Sequence, residues 1–559
     1  MLLIPLLFLI ASPEANQLCA VSGHATNALT GEPLRKVKLH LTPDADEKSN
    51  ADSAPRGYVT LSGADGAFEF SGIEPGSYSL SADHLGFLKT VYGAKRRNQR
   101  GDTLILHPGQ SIAELSVALT PEAILAGRVV DEDGDPVVGV RLMLMARSWN
   151  NGKSQYGERF VGYTNDRGEF RIFDVEAGKY ILAAEKGQHF ADVIESDGRS
   201  EKTFVETFYP GTTTPEAAAP FQIQAGQQRG DLELRLRAVQ TFHVRGRVVT
   251  SALTAGTPYR TMLALEPQGK DSWFSQRYSR PGRDGTFDFS EVAPGSYRLT
   301  LRSKGKILSD QPVAVTSEDL NNVVVNEVVP VTVRGQVHVA GAAPAGVKPW
   351  NPALFQVGLR FDDGYSGKGV GSTPAKSDGS FTLENVLPGI YYLQSGVPEG
   401  AYLLSVRLNG EEMMGKPLDL SRAQAADLQI VFRYGAPELT VKVQLPAITA
   451  QPGGGETRPP APVVVVVPEQ SREKPQHFEA PVNGTGSGTF KQLSPGAYHV
   501  YAFEEVPREE INNPRFLDVM YTKGTRIELK EGERKQIELH VTSAADVTQV
   551  LSKLGINAE

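Results

Sequence analysis

Short stretches of apolar–polar alternation, separated by glycine-bearing turns, run along most of this chain. Phe68-Glu69-Phe70 follows Asp65-Gly66, and Tyr78-Ser79-Leu80 follows Pro75-Gly76. The unit returns as Gly168-Glu169-Phe170-Arg171-Ile172 with Gly178-Lys179-Tyr180, and as Phe287-Asp288-Phe289 with Pro294-Gly295-Ser296-Tyr297. A fourth copy is Phe381-Thr382-Leu383 with Pro388-Gly389-Ile390-Tyr391, and a worn fifth is Gly488-Thr489-Phe490 with Pro495-Gly496-Ala497-Tyr498. A period of two places the apolar side chains on one face of a strand. Asp-Gly supplies the positive φ of a tight turn, and Pro-Gly predicts a type II turn with its glycine at the positive-φ position. The tyrosine after Pro-Gly is expected to bury its ring and bond its hydroxyl to nearby backbone.

The second glycine of the unit recurs at 76, 178, 295, 389 and 496, one small β-domain per copy. Upstream of each lies an opening strand: Val21-Ser22-Gly23-His24-Ala25, Leu125-Ala126-Gly127-Arg128-Val129, Val244-Arg245-Gly246-Arg247-Val248 and Val333-Arg334-Gly335-Gln336-Val337. The fifth, Leu439-Thr440-Val441-Lys442-Val443, lacks the glycine. Alternating strands such as Ile112 to Val117, Leu232 to Leu236 and Ile537 to Val541 close the copies. The reading is an all-β tandem array of five antiparallel β-sandwiches, at 21–120, 121–238, 239–329, 330–436 and 437–543, with a short helical tail at 544–559. Val547, Val550, Leu551 and Leu554 carry the helical spacing of that tail, with Gly555 as its stop. The Pro- and Gly-rich stretch 451–462 reads as a loop inserted in the fifth domain. Linkers are short, so neighbouring domains are expected to touch. A compact body of this length would have a radius of gyration near ~24 Å, and a straight stack of five sandwiches would exceed about 40 Å.

Composition narrows the function classes. The chain has 559 residues, a formal charge of −8 and 22% charged residues. That mild acidity argues against nucleic acid and anionic membranes as partners. A single cysteine excludes an intramolecular disulfide and a zinc site built on several thiolates. No apolar run reaches the roughly 20 residues of a membrane-spanning helix. Met1 to Ala11, MLLIPLLFLIA, reads as the apolar core of a secretory signal within residues 1–20, with cleavage after Ala15 or Ala20. No Lys or Arg precedes it. Asn16-Gln17-Leu18 before Cys19 does not form a lipobox, which wants a small residue where Leu18 stands.

The Gly-x-Val opening, the following Asp133-Gly134-Asp135-Pro136 and the later Asp-Gly-x-Phe-x-Phe, Pro-Gly-x-Tyr-x-Leu resemble the carboxypeptidase regulatory-like domain. The resemblance covers the first four copies well and the fifth weakly. It implies an immunoglobulin- or prealbumin-like sandwich of about seven strands, related to the Cna B-type domains of surface adhesins and grouped with carbohydrate-binding-like sandwiches. Such domains are common as tandem arrays in secreted and outer-membrane bacterial proteins. The pattern specifies a fold and leaves function open.

The residues offer little catalytic chemistry. A zinc peptidase needs a His-x-x-Glu pair and a third ligand, and none of the ten histidines has Glu three residues later. His189-Phe190-Ala191-Asp192 has the nearest spacing. No Gly-x-Ser-x-Gly elbow is present, and Gly453-Gly454-Gly455 lacks the Lys-Ser of a phosphate loop. Asp131-Glu132-Asp133-Gly134-Asp135 reads as an acidic hairpin turn before it reads as a calcium loop. Related Cna-type domains carry a Lys–Asn crosslink from a core-facing first-strand lysine, a position at which only Lys442 of the fifth copy offers a lysine. No cofactor, metal or catalytic residue is therefore assigned.

Aromatic residues carry the sharpest expectation. Trp149, Trp273 and Trp350 each fall between the opening strand and the Asp-Gly turn of their own domain. With Tyr156, Tyr163 and Tyr278 they form the candidate set for stacking on sugars. The competing reading is that the tryptophans cap cores or line domain contacts. Lys95 to Arg100, the densest basic run, reads as a solvated loop. The function expected is an exported, non-enzymatic array that binds a polysaccharide or an envelope protein. A structural or adhesive stalk is the alternative, and the sequence leaves oligomeric state open.

Overall fold

The computed structural model describes residues 17–44, 57–97, 99–150, 153–186, 202–250, 261–268, 276–304, 306–361, 369–469 and 477–554. The apolar leader, Trp273 and the His189–Asp192 run lie outside them. Five β-sandwiches follow one another, each with its own core. In each, the opening strand lies between two partners, antiparallel to the strand after the first glycine turn and parallel to the closing strand. In the first sandwich Cys19–Asn27 lies between Ala67–Ile73 and Ser111–Leu119. In the third, Phe242–Val249 lies between Thr286–Val292 and Leu320–Asn326, and in the fifth Glu438–Val443 lies between Ser487–Phe490 and Arg534–Leu539. The second sheet is a meander around the strand after Pro-Gly. In the third sandwich its order is Arg277–Ser279, Thr261–Pro267, Gly295–Ser303, Lys306–Val315. Alternation puts Phe287, Phe289, Leu299 and Leu301 between the sheets, and each fully buried side chain of this size contributes roughly 1.5–3 kcal/mol.

The glycine of the opening strand marks the tightest approach. A Cβ on Gly246 would stand 1.8 Å from the Val323 carbonyl oxygen, and one on Gly23 2.1 Å from that of Leu115. The Asp-Gly turns are as expected, with Gly66, Gly285 and Gly379 at φ of +77°, +86° and +81°. The Pro-Gly corners are not type II turns. Gly76 and Gly496 lie near extended backbone at φ +159° and +153°, and the glycines at 178, 295 and 389 have negative φ. At 178 and 295 the small residue is required by the tyrosine two positions on, whose ring packs over it. A Cβ on Gly178 would meet the Tyr180 ring at 2.9 Å. The tyrosine itself behaves as expected in all five copies. Its hydroxyl donates to the carbonyl four residues earlier, from Tyr78 to Glu74 (2.7 Å), Tyr180 to Glu176 (3.3 Å), Tyr297 to Ala293 (2.8 Å), Tyr391 to Leu387 (2.7 Å) and Tyr498 to Ser494 (2.6 Å).

Among the described residues the fifth sandwich carries three α-helices on the outer side of its second sheet: α1 (Arg508–Ile511), α2 (Pro514–Met520) and α3 (Ala544–Lys553). The tail helix α3 has the expected buried stripe of Val547, Val550 and Leu551, and Ser543 caps it by accepting from the Asp546 N–H. The helical pair α1–α2 has no counterpart in the sequence reading. Pro507 and Asn512-Asn513-Pro514 look like chain breakers, and helices this short show no periodicity.

Two expectations are corrected here. Residues 451–462 are not simply a loop of the fifth domain. Thr449–Ala450 and Glu456–Arg458 form a hairpin, and its second strand joins the second sheet of the first sandwich beside Thr103–Leu106. Strands of two and three residues give no alternation to read. Nor is Lys95 to Arg97 a free solvated loop. Lys95 pairs with Glu504 (2.5 Å) and Arg96 with Glu505 (3.4 Å) of the fifth sandwich, while Arg97 reaches Asp174 (2.5 Å) and Glu176 (3.9 Å) of the second. Partners 77 to 409 residues away are invisible to local pattern. The first and fifth sandwiches thus share a sheet, and the array closes on itself instead of forming a straight stack.

Candidate functional site

The longest strands of the second sandwich, Val140–Asn150 and Lys153–Tyr163, form one hairpin. Val140, Leu142 and Leu144 point into the core, so Arg141, Met143 and Met145 point outward. The expected residues Trp149, Tyr156 and Tyr163 all fall on this outer face. Tyr156 lies opposite Arg147, whose guanidinium sits over its ring at 5.8 Å. Tyr156 and Met145 pack against a second cluster of Met143, Ile181, Ala183, Phe208 and Ala218. Trp149 is half-buried opposite Ser154, and Tyr163 is 60% exposed opposite Arg141. Arg141 is itself buried and bonds Glu158 (2.5 Å).

The structure thus brings these three aromatics to one surface, but not to one subsite. Trp149 and Tyr163 are eight ladder rows apart, about 27 Å at 3.4 Å per residue. Helix α1 packs on the same strand Val140–Asn150. The other aromatics lie elsewhere. Tyr278 is 40% exposed in the third sandwich, with its hydroxyl donating to Gln276 Oε1 at 2.7 Å. Trp350 packs against the core of the fourth sandwich. Its ring meets Phe355 edge-on at 5.7 Å, and its backbone N–H donates to the Tyr434 hydroxyl at 2.9 Å. That geometry is the core-capping role weighed against sugar stacking. Trp273 is outside the described residues.

The remaining candidates resolve into structure. Asp131 Oδ1 accepts from the N–H groups of Asp133 (3.0 Å) and Asp135 (2.8 Å), as an acidic hairpin turn requires. Among the described residues, no three His, Cys, Asp or Glu side chains converge as metal ligands would. Lys442 points to solvent. Gly453 and Gly454, at φ +95° and +91°, turn the hairpin that reaches the first sandwich. An open cleft of about 580 Å³ lined by Pro210, Thr212, Thr213, Ala217, Arg237 and Val239 mixes polar and apolar groups and carries no aromatic platform.

Several charged pairs cross the domain joints. The bond from Lys95, with the Ala544 N–H, holds the Glu504 carboxyl below its ordinary range. Burial pushes Glu176 up against the opposing pull of Arg97. Arg298 stacks on Phe361 at 5.2 Å between the third and fourth sandwiches, and Arg433 pairs with Glu531 at 2.9 Å between the fourth and fifth. These joints were missed because each links residues far apart in the chain.

No family model and no curated protein matches the sequence, so the carboxypeptidase regulatory-like resemblance rests on the motifs alone. Solved structures similar to the chain include the TIE protein of Bacillus anthracis, at 12% identity over 75% of this chain and 73% of that one, with a TM-score of 0.15. The minor pilin GBS52 of Streptococcus agalactiae is similar at 13% identity over 40% of this chain and 97% of that one, with a TM-score of 0.21. Two B repeat units of the collagen-binding protein of Staphylococcus aureus are similar at 10% identity over 74% and 99%, with a TM-score of 0.12. At scores this low the likeness carries nothing further, and the tandem sandwich fold rests on the strand pairing described above.

Proposed function

We propose that this chain is an exported, non-catalytic binding protein of the cell envelope or exterior, and that its ligand is a carbohydrate. The observation that carries the reading is the outer face of the long hairpin in the second sandwich. It carries Trp149 and Tyr163 with Arg147 on one two-stranded surface, and Tyr156 lies between them, packed against the Met143–Phe208 cluster. Sugar rings stack on such aromatic faces while neighbouring polar groups fix their hydroxyls. The 27 Å run suits an extended polymer better than a monosaccharide. Export rests on the apolar run Met1 to Ala11. Of the two cleavage positions, the one after Ala15 leaves the first strand whole. The one after Ala20 would remove Cys19, which is 2% exposed and bonds the His107 carbonyl at 3.2 Å.

The test is a pull-down of the full chain against insoluble polysaccharides, with a soluble glycan panel beside it. Saturable binding that weakens about tenfold in Trp149→Ala and Tyr163→Ala, at unchanged melting temperature, supports the reading. Binding unaffected by both substitutions, or no binding anywhere on the panel, overturns it. A structural or adhesive element with a protein partner is then the reading that stands. It is favoured by a separate observation, the shared sheet and ion pairs that tie the first, second and fifth sandwiches together.

A further inference from the structure

The hairpin of residues 449–458 belongs to the fifth sandwich by sequence and to the first by pairing. Glu456, Thr457 and Arg458 stand opposite Ile105, Leu104 and Thr103 in one sheet. Its turn reaches the other sheet. The N–H groups of Ser111 and Ala113 donate to the carbonyls of Gly453 (3.0 Å) and Pro452 (2.9 Å), and the Gly455 N–H donates to Ser111 O (2.9 Å). One hairpin therefore covers an edge of both sheets of the first sandwich. Fit depends on glycine, because a Cβ on Gly455 would stand 2.3 Å from Ile112 Cγ1 and one on Gly453 2.3 Å from Ser111 Oγ. Thr457 is 3% exposed in the joint.

An edge that takes a strand in this way is a template for any chain able to present it. The segment that presents it is held at both ends by arms containing Pro446, Pro459, Pro460 and Pro462. Proline keeps such arms extended and unable to donate to a ladder. A two-stranded hairpin alone is marginal in water, so it needs its acceptor. The flanking ion pair Lys95–Glu504 is about half exposed, and such a pair holds a joint weakly and is screened by salt. An identical hairpin from a second copy would make the same bonds, which is the condition for low-cost exchange. We propose that residues 449–458 are an exchangeable donor, and that the first sandwich of one copy accepts the hairpin of a second copy, giving reciprocally swapped dimers when chains are concentrated.

Two single-cysteine chains test this, both in a Cys19→Ala background. One carries Ile105→Cys and the other Glu456→Cys, positions that face each other across the joint. The chains are mixed, opened briefly in denaturant, closed at concentrations from about 10 µM to about 1 mM, and oxidised. A disulfide-linked dimer joining the two kinds of chain forms only if the hairpin of one sits on the first sandwich of the other. The expected result is that dimer, rising with concentration and lost when the Glu456→Cys chain also carries Gly455→Val. A chain with both cysteines is the control and should crosslink within itself when dilute. Intrachain crosslinking with no mixed dimer at the highest concentration overturns exchange. Failure of the double-cysteine chain to crosslink overturns the joint itself, and a mixed dimer that survives Gly455→Val overturns the role of the hairpin.

Discussion

The third and fifth sandwiches carry the same central strand pair in the same register and differ in what covers its outer face. Pro267 lies opposite Tyr297, and Pro468 lies opposite Tyr498. Inward positions match, with Leu263 and Leu265 in one and Val464 and Val466 in the other. Outward, the third sandwich is charged. Arg302 reaches Glu266 at 3.3 Å, and Arg298 holds Asp310 through its Nε at 2.9 Å. The fifth presents Val465, Val467, Tyr501 and Phe503 to Val506, Ile511, Phe516 and Met520. One sheet has a part-buried, charged outer face that meets the fourth sandwich where Arg298 stacks on Phe361, and the other is a middle layer between a β-core and a helical one. The difference is written in composition. A strand buried on both faces loses its alternation and becomes a continuous apolar run, as Val463 to Val467 does.

The strongest way to break the comparison is to empty the helical layer. Phe516 is fully buried, and Phe516→Ala should lower the stability of the fifth sandwich by about 3–5 kcal/mol. Arg302→Ala on the matching face of the third should cost about 1 kcal/mol or less, because its ion pair is part-exposed. Urea unfolding followed by circular dichroism reads both. Equal losses would mean that the helices merely decorate the sheet.

A second contrast concerns the opening strand. In the third sandwich the parallel ladder to the closing strand shifts register between Val244 and Gly246, and Gly246 lies against the Val323 carbonyl. In the fifth the ladder is unbroken from Glu438 to Val443, and the buried Val441 occupies the corresponding place. Gly246→Ala should destabilise by about 1–3 kcal/mol through overpacking. Val441→Gly should destabilise for the opposite reason, an emptied core position. If Gly246→Ala melts with the parent chain, the closest approach in the repeat is not a constraint.

These contrasts mark what the sequence could carry. The sandwich repeat was legible because each element is local. Asp-Gly precedes Phe-x-Phe by one step, and the corner tyrosine bonds a carbonyl four residues back. The absence of glycine in the fifth opening strand was also visible, and the Val463 to Val467 run could have announced a second covering layer. The joint between the first and fifth sandwiches was not legible. Thr457 meets Leu104, and Arg96 meets Glu505, across most of the chain, and no periodicity links them. The candidate site was half legible. Trp149 and Tyr156 share a face because two long strands pair, which alternation predicts. That Trp350 turns into its own core depends on Phe355 and Tyr434, whose positions only the fold supplies.

The smallest effect sharpens the comparison from the side of what the two sandwiches share. Tyr297 and Tyr498 both donate to a carbonyl four residues back, and burial raises the hydroxyl of each, that of Tyr498 to about 12. Tyr180 is raised to about 12 by the same cause. An unfolded tyrosine ionises near pH ~10. Above that pH the unfolded chain has lost a proton that the folded chain keeps, so the unfolded state binds fewer protons and stability falls as pH rises. The stabilisation is complete below about pH 10 and is lost as pH climbs through the folded value near 12. Melting temperature should therefore be flat up to about pH 10 and fall between about 10 and 12. Tyr297→Phe and Tyr498→Phe should each cost about 0.5–1.5 kcal/mol at neutral pH, the scale of one hydrogen bond. Together they should make the alkaline fall shallower, since two of the titrating groups are gone. An unchanged alkaline slope in the double variant would locate that loss of stability outside the repeated corner, and would leave the shared register of the two sandwiches without a shared energetic consequence.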